Sequence, residues 1–256
     1  MKALLAILLA LLSTPVAAQQ FDPFKEARID NDPGASIPLD GAFVDQNGRP
    51  TSLQRIADGR PLLLVPVLHE CPNFCRVTLS GITDAIAALP AGERGRFATV
   101  AFGIDPREGP AEAADDLHRL AEQTGRAPPP DTFATTGPKS AIRDVTDALG
   151  YHYKWDERIG QYAHAAAFAV ITPQGHLSRW FYGLDPDPAE LGKALEVARQ
   201  DKTGGGWAQQ LLLVCFHYDP ETGQYTPAIT KILRLAGFAT VLAIGLGILF
   251  LRRRTQ

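Results

Sequence analysis

The chain has 256 residues, with 25 Lys and Arg against 28 Asp and Glu, a formal net charge of −3 and 45% hydrophobic residues. That balance shows no basic excess to suit a nucleic-acid backbone, and the length suffices for a domain with its own core. Three cysteines, an odd number, argue against a disulfide-stapled scaffold.

Residues 1–18 read as a secretory signal: Lys2 is the positive start, Ala3 to Leu12 the apolar stretch, and Val16-Ala17-Ala18 a small-residue cleavage site. Residues 19–40, rich in Asp, Pro and polar groups, read as an extended lead-in to a domain over 41–203. Asn47-Gly48 is a strong hairpin signal between Ala42-Phe43-Val44 and Pro50-Thr51-Ser52-Leu53. Pro61 to Leu68 is a buried-type strand in which Pro66 suggests a bulge or an edge. A helix over 73–89 stops near Pro90, Phe97 to Ile104 is the next strand, and Ala111 to Gln123 is helical. After the loop Ala127-Pro128-Pro129-Pro130, Phe133 marks a short strand, and Pro138 suits the first turn of a helix reaching Leu149. Tyr151 to Trp155 is a candidate strand, Ala165 to Thr172 and His176 to Tyr182 form a hairpin about Pro173-Gln174-Gly175, and Pro188 to Gln200 is the last helix. Alternating strands and helices predict an α/β fold: a sheet with parallel central strands, made mixed by the terminal hairpin and covered by helices on both faces.

Gly204-Gly205-Gly206 opens a linker and membrane-proximal segment, 204–228, that contains Cys215-Phe216-His217. Residues 229–251 read as a transmembrane helix, since Leu235 to Leu251 holds no charge while Lys231 and Arg234 reach the interface. Arg252-Arg253-Arg254 then places the 252–256 tail in the cytoplasm by the positive-inside rule. Signal and anchor agree on one topology: a single-pass protein of the inner (plasma) membrane whose domain faces the periplasmic, extracytoplasmic side.

Chemistry concentrates at Cys71-Pro72-Asn73-Phe74-Cys75, between the first central strand and the helix after it. Two thiols four positions apart at a helix start lie on one face, about 5–6 Å between Cβ atoms, and the helix N-terminus favours thiolate. In an oxidising compartment such a pair forms a structural disulfide, cycles between dithiol and disulfide, or holds a soft metal. Paired cysteines opening the helix after the first central strand describe a thioredoxin-like fold.

A metal needs a third donor, and His164 stands just before the strand from Ala165, which in that fold starts opposite the cysteine-bearing helix tip. In thioredoxins a proline precedes the corresponding strand, and none does here. Two thiolates with an imidazole suit Cu(I) and also take Cu(II). His69 is the next candidate ligand, while His118 reads as part of a solvated helix face with Asp115, Asp116 and Arg119, His152 as structural and His176 as exposed. Cys215 and His217 point to one face of an extended segment and form a candidate auxiliary contact. Asp105, Arg107 and Glu108 end a strand on the cysteines' edge, as a turn or as support around the site. Trp155 and Trp180 read as packing.

These pieces resemble the Sco/SenC family of copper-binding, thioredoxin-like proteins: Cys71-Pro72-Asn73-Phe74-Cys75, Phe102-Gly103-Ile104-Asp105-Pro106-Arg107-Glu108-Gly109-Pro110, and His164 with its strand and the Pro173-Gln174-Gly175 turn. The resemblance covers about residues 40–200. It implies copper held by Cys71, Cys75 and His164, and delivery to the binuclear CuA site of cytochrome c oxidase subunit II, or reduction of that site's cysteines. Three departures from the family pattern stand out: Arg76 where proline commonly follows the second cysteine, His69-Glu70 where Thr-His is common, and an anchor at the C-terminus rather than the N-terminus. The expected function is a membrane-anchored copper chaperone. The rival is a thiol–disulfide oxidoreductase in which Cys71 attacks and Cys75 resolves, and a third reading is a copper or redox sensor.

Overall fold

The computed structural model describes residues 27–71, 75–129, 131–157 and 160–203, with backbone alone at 75–76, 218–219 and 224–225. The signal segment, the membrane helix at 229–251, Cys215 and His217 lie outside the described residues. Among the described residues no helix is long and apolar enough to cross a membrane.

Seven strands form one mixed sheet: β1 (Phe43–Asp45), β2 (Pro50–Thr51), β3 (Leu62–Val67), β4 (Ala98–Gly103), β5 (Thr132–Thr136), β8 (Ala167–Ile171) and β9 (Leu177–Tyr182), in the order β2-β1-β5-β4-β3-β8-β9. Between β5 and β8 a separate hairpin pairs β6 (Lys154–Asp156) with β7 (Gln161–Ala163). β3, β4 and β5 run parallel at the centre, and the antiparallel β8–β9 hairpin closes one side. Every residue of β3 and β4 is buried, as continuous apolar runs require when helices cover both faces. Leu62 and Leu64 join one core layer, while Leu63, Val65 and Val67 join the other.

The second layer is filled by α2 (Cys75–Ala88), α3 (Pro110–Thr124) and α5 (Pro188–Arg199), through Leu79, Ile82, Ile86, Leu120, Leu191 and Leu195. The first is filled by α1 (Leu53–Ala57) and α4 (Lys139–Ala148), through Leu53, Ile56, Ile142 and Val145, with Tyr151 and Trp180 beside them. The five-residue α1 and β7 are additions to the elements expected from sequence, while the candidate strand Tyr151 to Trp155 is realised as a bridge at Tyr151 and β6 at Lys154–Asp156.

The Asn47-Gly48 turn forms as expected: Gly48 takes φ 74°, and Asp45 accepts from the backbone N–H groups of Asn47 and Arg49, both at 2.9 Å. Pro66 is neither in a bulge nor on an edge strand, since it pairs with Phe102 inside the sheet. It is tolerated because β8 pairs only with Leu62, Leu63 and Leu64. The Val67 carbonyl faces β4, accepting from Ile104 at 3.0 Å, so the alternation turns Pro66's nitrogen toward the side where pairing has ended. Pro138 caps α4 from outside rather than entering its first turn. The described part of the lead-in packs onto the domain: Ile29 bridges Tyr151, Ser36 bridges His176, and Ala27, Ile29 and Ile37 are buried.

Candidate metal centre

Cys71 follows β3 through a turn in which its N–H donates to the Leu68 carbonyl at 3.1 Å. It is 6% exposed, within the same core layer as Tyr151, Tyr153 and Trp180. Among the described residues the helix runs from Cys75, and Cys71 is not helical. The Cys75 side chain lies outside the described residues. Among the described residues no group of three His, Cys, Asp or Glu side chains is gathered for a metal ion, a statement that does not extend to Cys75.

His69, two residues before Cys71, is 1% exposed. Its Nδ1 donates to Asp116 on α3 and its Nε2 to the Thr135 carbonyl on β5, both at 3.1 Å. The Thr135 carbonyl only accepts, so Nε2 carries a proton, and Asp116 engages Nδ1. Burial works against the charge, but the Asp116 and Thr135 bonds outweigh it and hold the His69 pKa above its ordinary value. The ring reaches β5 by crossing Gly103 on β4, where a Cβ would meet the Thr135 carbonyl oxygen at 2.7 Å and His69 Nε2 at 2.8 Å. Arg119 seals the same corner, donating to the His69 carbonyl at 2.8 Å. With both nitrogens engaged, His69 drops out as a ligand. Asp116, expected on a solvated face, is 1% exposed. Its signal was the spacing Ala113, Asp116, Leu120, which sets it on the buried stripe of α3.

His164 lies between β7 and β8. β3 and β8 are antiparallel with Leu64 opposite Ala169, and continuing that register sets residue 164 level with residue 69. His164 and the end of β3 that leads to Cys71 thus share one edge of the sheet. The imidazole is half-buried, and its Nδ1 lies 2.9 Å from the Tyr151 hydroxyl. Burial drives its pKa down to about 4, opposed only in part by a hydrogen bond to the Ala165 backbone. The ring is therefore neutral at neutral pH, the form in which an imidazole binds metal.

The loop after β4 supports this edge from below. Asp105 is buried and accepts from Arg107, at 3.0 Å from the backbone N–H and 2.9 Å from Nε. The Arg107 guanidinium lies 4.1 Å from the centre of the Trp155 ring, and Trp155 meets Tyr162 edge to face at 5.3 Å. Trp155 is on β6 and Tyr162 on β7, so Arg107 ties the loop to the hairpin that leads into His164. Glu108 accepts from the Glu70 N–H, next to Cys71, at 2.9 Å, and its burial raises its pKa. In the sequence, Tyr151 reads only as the start of a candidate strand and Trp155 as packing. No local signal gives their partners, which come from other parts of the chain.

The remaining histidines stand elsewhere. His118 is exposed beside Glu122, His152 Nε2 lies 2.7 Å from Asp30, and His176 is half-buried with Nδ1 2.8 Å from the Ser36 hydroxyl, rather than exposed as expected.

A thiol following a central strand, a helix over Cys75–Ala88 and a neutral imidazole share this edge of the sheet. No curated protein sequence matches the chain. Among solved structures it is similar to a protein of Aquifex aeolicus VF5, at 20% identity over 66% of this chain and 95% of that one, with a TM-score of 0.56. It is also similar to BsSco, a Sco-family cytochrome c oxidase assembly protein described with a disulfide switch, at 20% identity over 68% and 99%, TM-score 0.53. A third similar structure is Arabidopsis thaliana ScoI, solved with copper bound, at 17% identity over 66% and 99%, TM-score 0.49. The first two likenesses show a shared thioredoxin-like α/β fold. The SCO1/SenC family model matches residues 33–198, and the chain belongs to the SCO1/SenC family.

Proposed function

We propose that this protein is a copper chaperone that holds copper through Cys71, Cys75 and His164 and delivers it to the CuA site of cytochrome c oxidase during assembly. The observation that carries the reading is His164: a neutral imidazole, with a pKa near 4, on the sheet edge to which β3 delivers Cys71. Two thiolates and a neutral nitrogen are a donor set for Cu(I) that also accepts Cu(II). Membership of the SCO1/SenC family supports the same cargo, and relatives such as the Arabidopsis protein have been solved with copper bound. A three-donor site lets an acceptor thiolate or imidazole enter as one donor leaves, so transfer runs by ligand exchange. In this reading residues 1–18 direct export, 229–251 anchor the chain with 252–256 in the cytoplasm, and 41–203 face outward. The anchor keeps the donor near a membrane-embedded acceptor and raises its effective concentration.

The disulfide switch described for BsSco favours a second reading, a thiol–disulfide oxidoreductase with Cys71 attacking and Cys75 resolving. Copper titration of the wild type and of Cys71→Ser, Cys75→Ser and His164→Ala separates the two. One copper per chain, lost in all three variants, supports the chaperone. Undiminished binding by His164→Ala removes the imidazole from the site, and full disulfide-exchange activity in that variant then favours the oxidoreductase.

A further inference from the structure

An imidazole presents a lone pair at Nε2 only when its single proton sits on Nδ1, and something must decide between the tautomers. At His164 the deciding group is identifiable from the count of protons. The Tyr151 hydroxyl lies 2.7 Å from the Ala165 carbonyl oxygen and 2.9 Å from His164 Nδ1. A phenol has one proton to give, and a carbonyl has none. If the phenol gave its proton to Nδ1, two oxygen lone pairs would face each other at 2.7 Å. The proton therefore goes to Ala165, and the Tyr151 oxygen accepts from Nδ1–H.

The phenol cannot turn away from this task. Tyr151 is fully buried, its ring stacks on Trp180 with centroids 5.7 Å apart, and its N–H donates to the Thr146 carbonyl at 2.8 Å. The described lead-in pins it from the other side, through the bridge from Ile29 and the His152 N–H donating to the Arg28 carbonyl at 2.8 Å.

We infer that Tyr151 is a positioning residue that fixes His164 as the Nδ1–H tautomer and so turns the Nε2 lone pair to the metal. The tautomer assignment stands on the hydrogen bonds alone; its consequence for copper rests on the function proposed above.

The test is nitrogen NMR of the full chain, labelled with 15N-histidine, metal-free, with His164 assigned by its loss in His164→Ala. In the wild type, Nδ1 is protonated and Nε2 is not. Tyr151→Phe keeps the stacked ring, removes one oxygen, and shifts His164 toward the Nε2–H form. It also weakens copper binding by about 10–100-fold, as expected for loss of a group orienting a metal-bound histidine. An unchanged thermal midpoint shows that the core survives. A wild-type His164 found as Nε2–H overturns the inference without any variant, as do unchanged tautomer populations in Tyr151→Phe. A shifted tautomer with unchanged copper affinity supports the role of Tyr151 and strikes His164 from the ligand set instead, so the two ideas fail separately.

Discussion

Two histidines level with each other at one sheet edge have opposite fates. His69 looks toward β5 and is held by a carboxylate and a carbonyl, so both its nitrogens are taken and its pKa is raised. His164 leads into β8, where burial keeps it neutral and a phenol brings no charge to oppose that. A carboxylate on one nitrogen and a carbonyl on the other take both ends of an imidazole, whereas a phenol at Nδ1 can leave Nε2 a base. The placing of partners, more than the depth of burial, separates the structural ring from the candidate ligand. Asp116→Ala attacks the sealed side directly. It leaves His69 buried with its counter-ion gone, a class of change that costs about 3 kcal/mol or more. The loss is read as a lowered urea midpoint of the metal-free protein.

Gly103→Ala probes the same side without touching charge. The added Cβ would lie 2.7 Å from the Thr135 carbonyl oxygen, which is backbone in the sheet, and 2.8 Å from His69 Nε2. Neither neighbour can yield cheaply, and overpacking of this kind costs about 1–3 kcal/mol. If the thermal midpoint does not move, the His69 ring is not wedged across β4, and the contrast with His164 loses its steric half.

The pH dependence sharpens the contrast further. The folded pKa of His69 lies above its ordinary value of 6.5 because of Asp116 and Thr135, against the opposing effect of burial. The stability it contributes is therefore fully present below about pH 6.5 and is lost as pH rises through the folded value. His164 has the reverse sign: its folded pKa is about 4, so its contribution is present above about 6.5 and declines as pH falls toward 4. The urea midpoint of the metal-free protein should fall on both sides of neutrality. His69→Gln should flatten the alkaline limb and His164→Ala the acidic one. The opposite assignment of limbs would reverse the protonation states argued here.

The central strands, the main helices and the cysteine position were legible because each is written locally: unbroken apolar runs at 62–67 and 98–103, a helical period at 110–124, and Cys71 and Cys75 at a strand-to-helix junction. What stayed hidden is written between distant residues. His69 takes partners 47 and 66 positions away, so the sequence near it could not say that it is saturated. Tyr151 meets His164 only because a short polar hairpin folds between them, and Lys154–Asp156 and Gln161–Ala163 are too brief for a clear strand period.

The smallest effect expected is at Arg107, and it asks whether the open side is held as firmly as it is placed. The guanidinium is bound by buried Asp105 and covers Trp155 at 4.1 Å from the ring centre, so β6 and β7 are tied to the loop after β4. Arg107→Met keeps a flexible apolar side chain over the ring but removes both the charge and the fork that Asp105 holds. The domain should lose only a little stability, because Arg107 itself sits at the surface with most of its side chain in water and its backbone N–H still donates to Asp105. The backbone amides of 160–163 should nonetheless exchange several-fold faster, since the hairpin has lost a contact outside its own pairing. Unchanged exchange there would mean that β6–β7 and the core aromatics place His164 unaided, leaving the Asp105–Arg107 pair as a local turn.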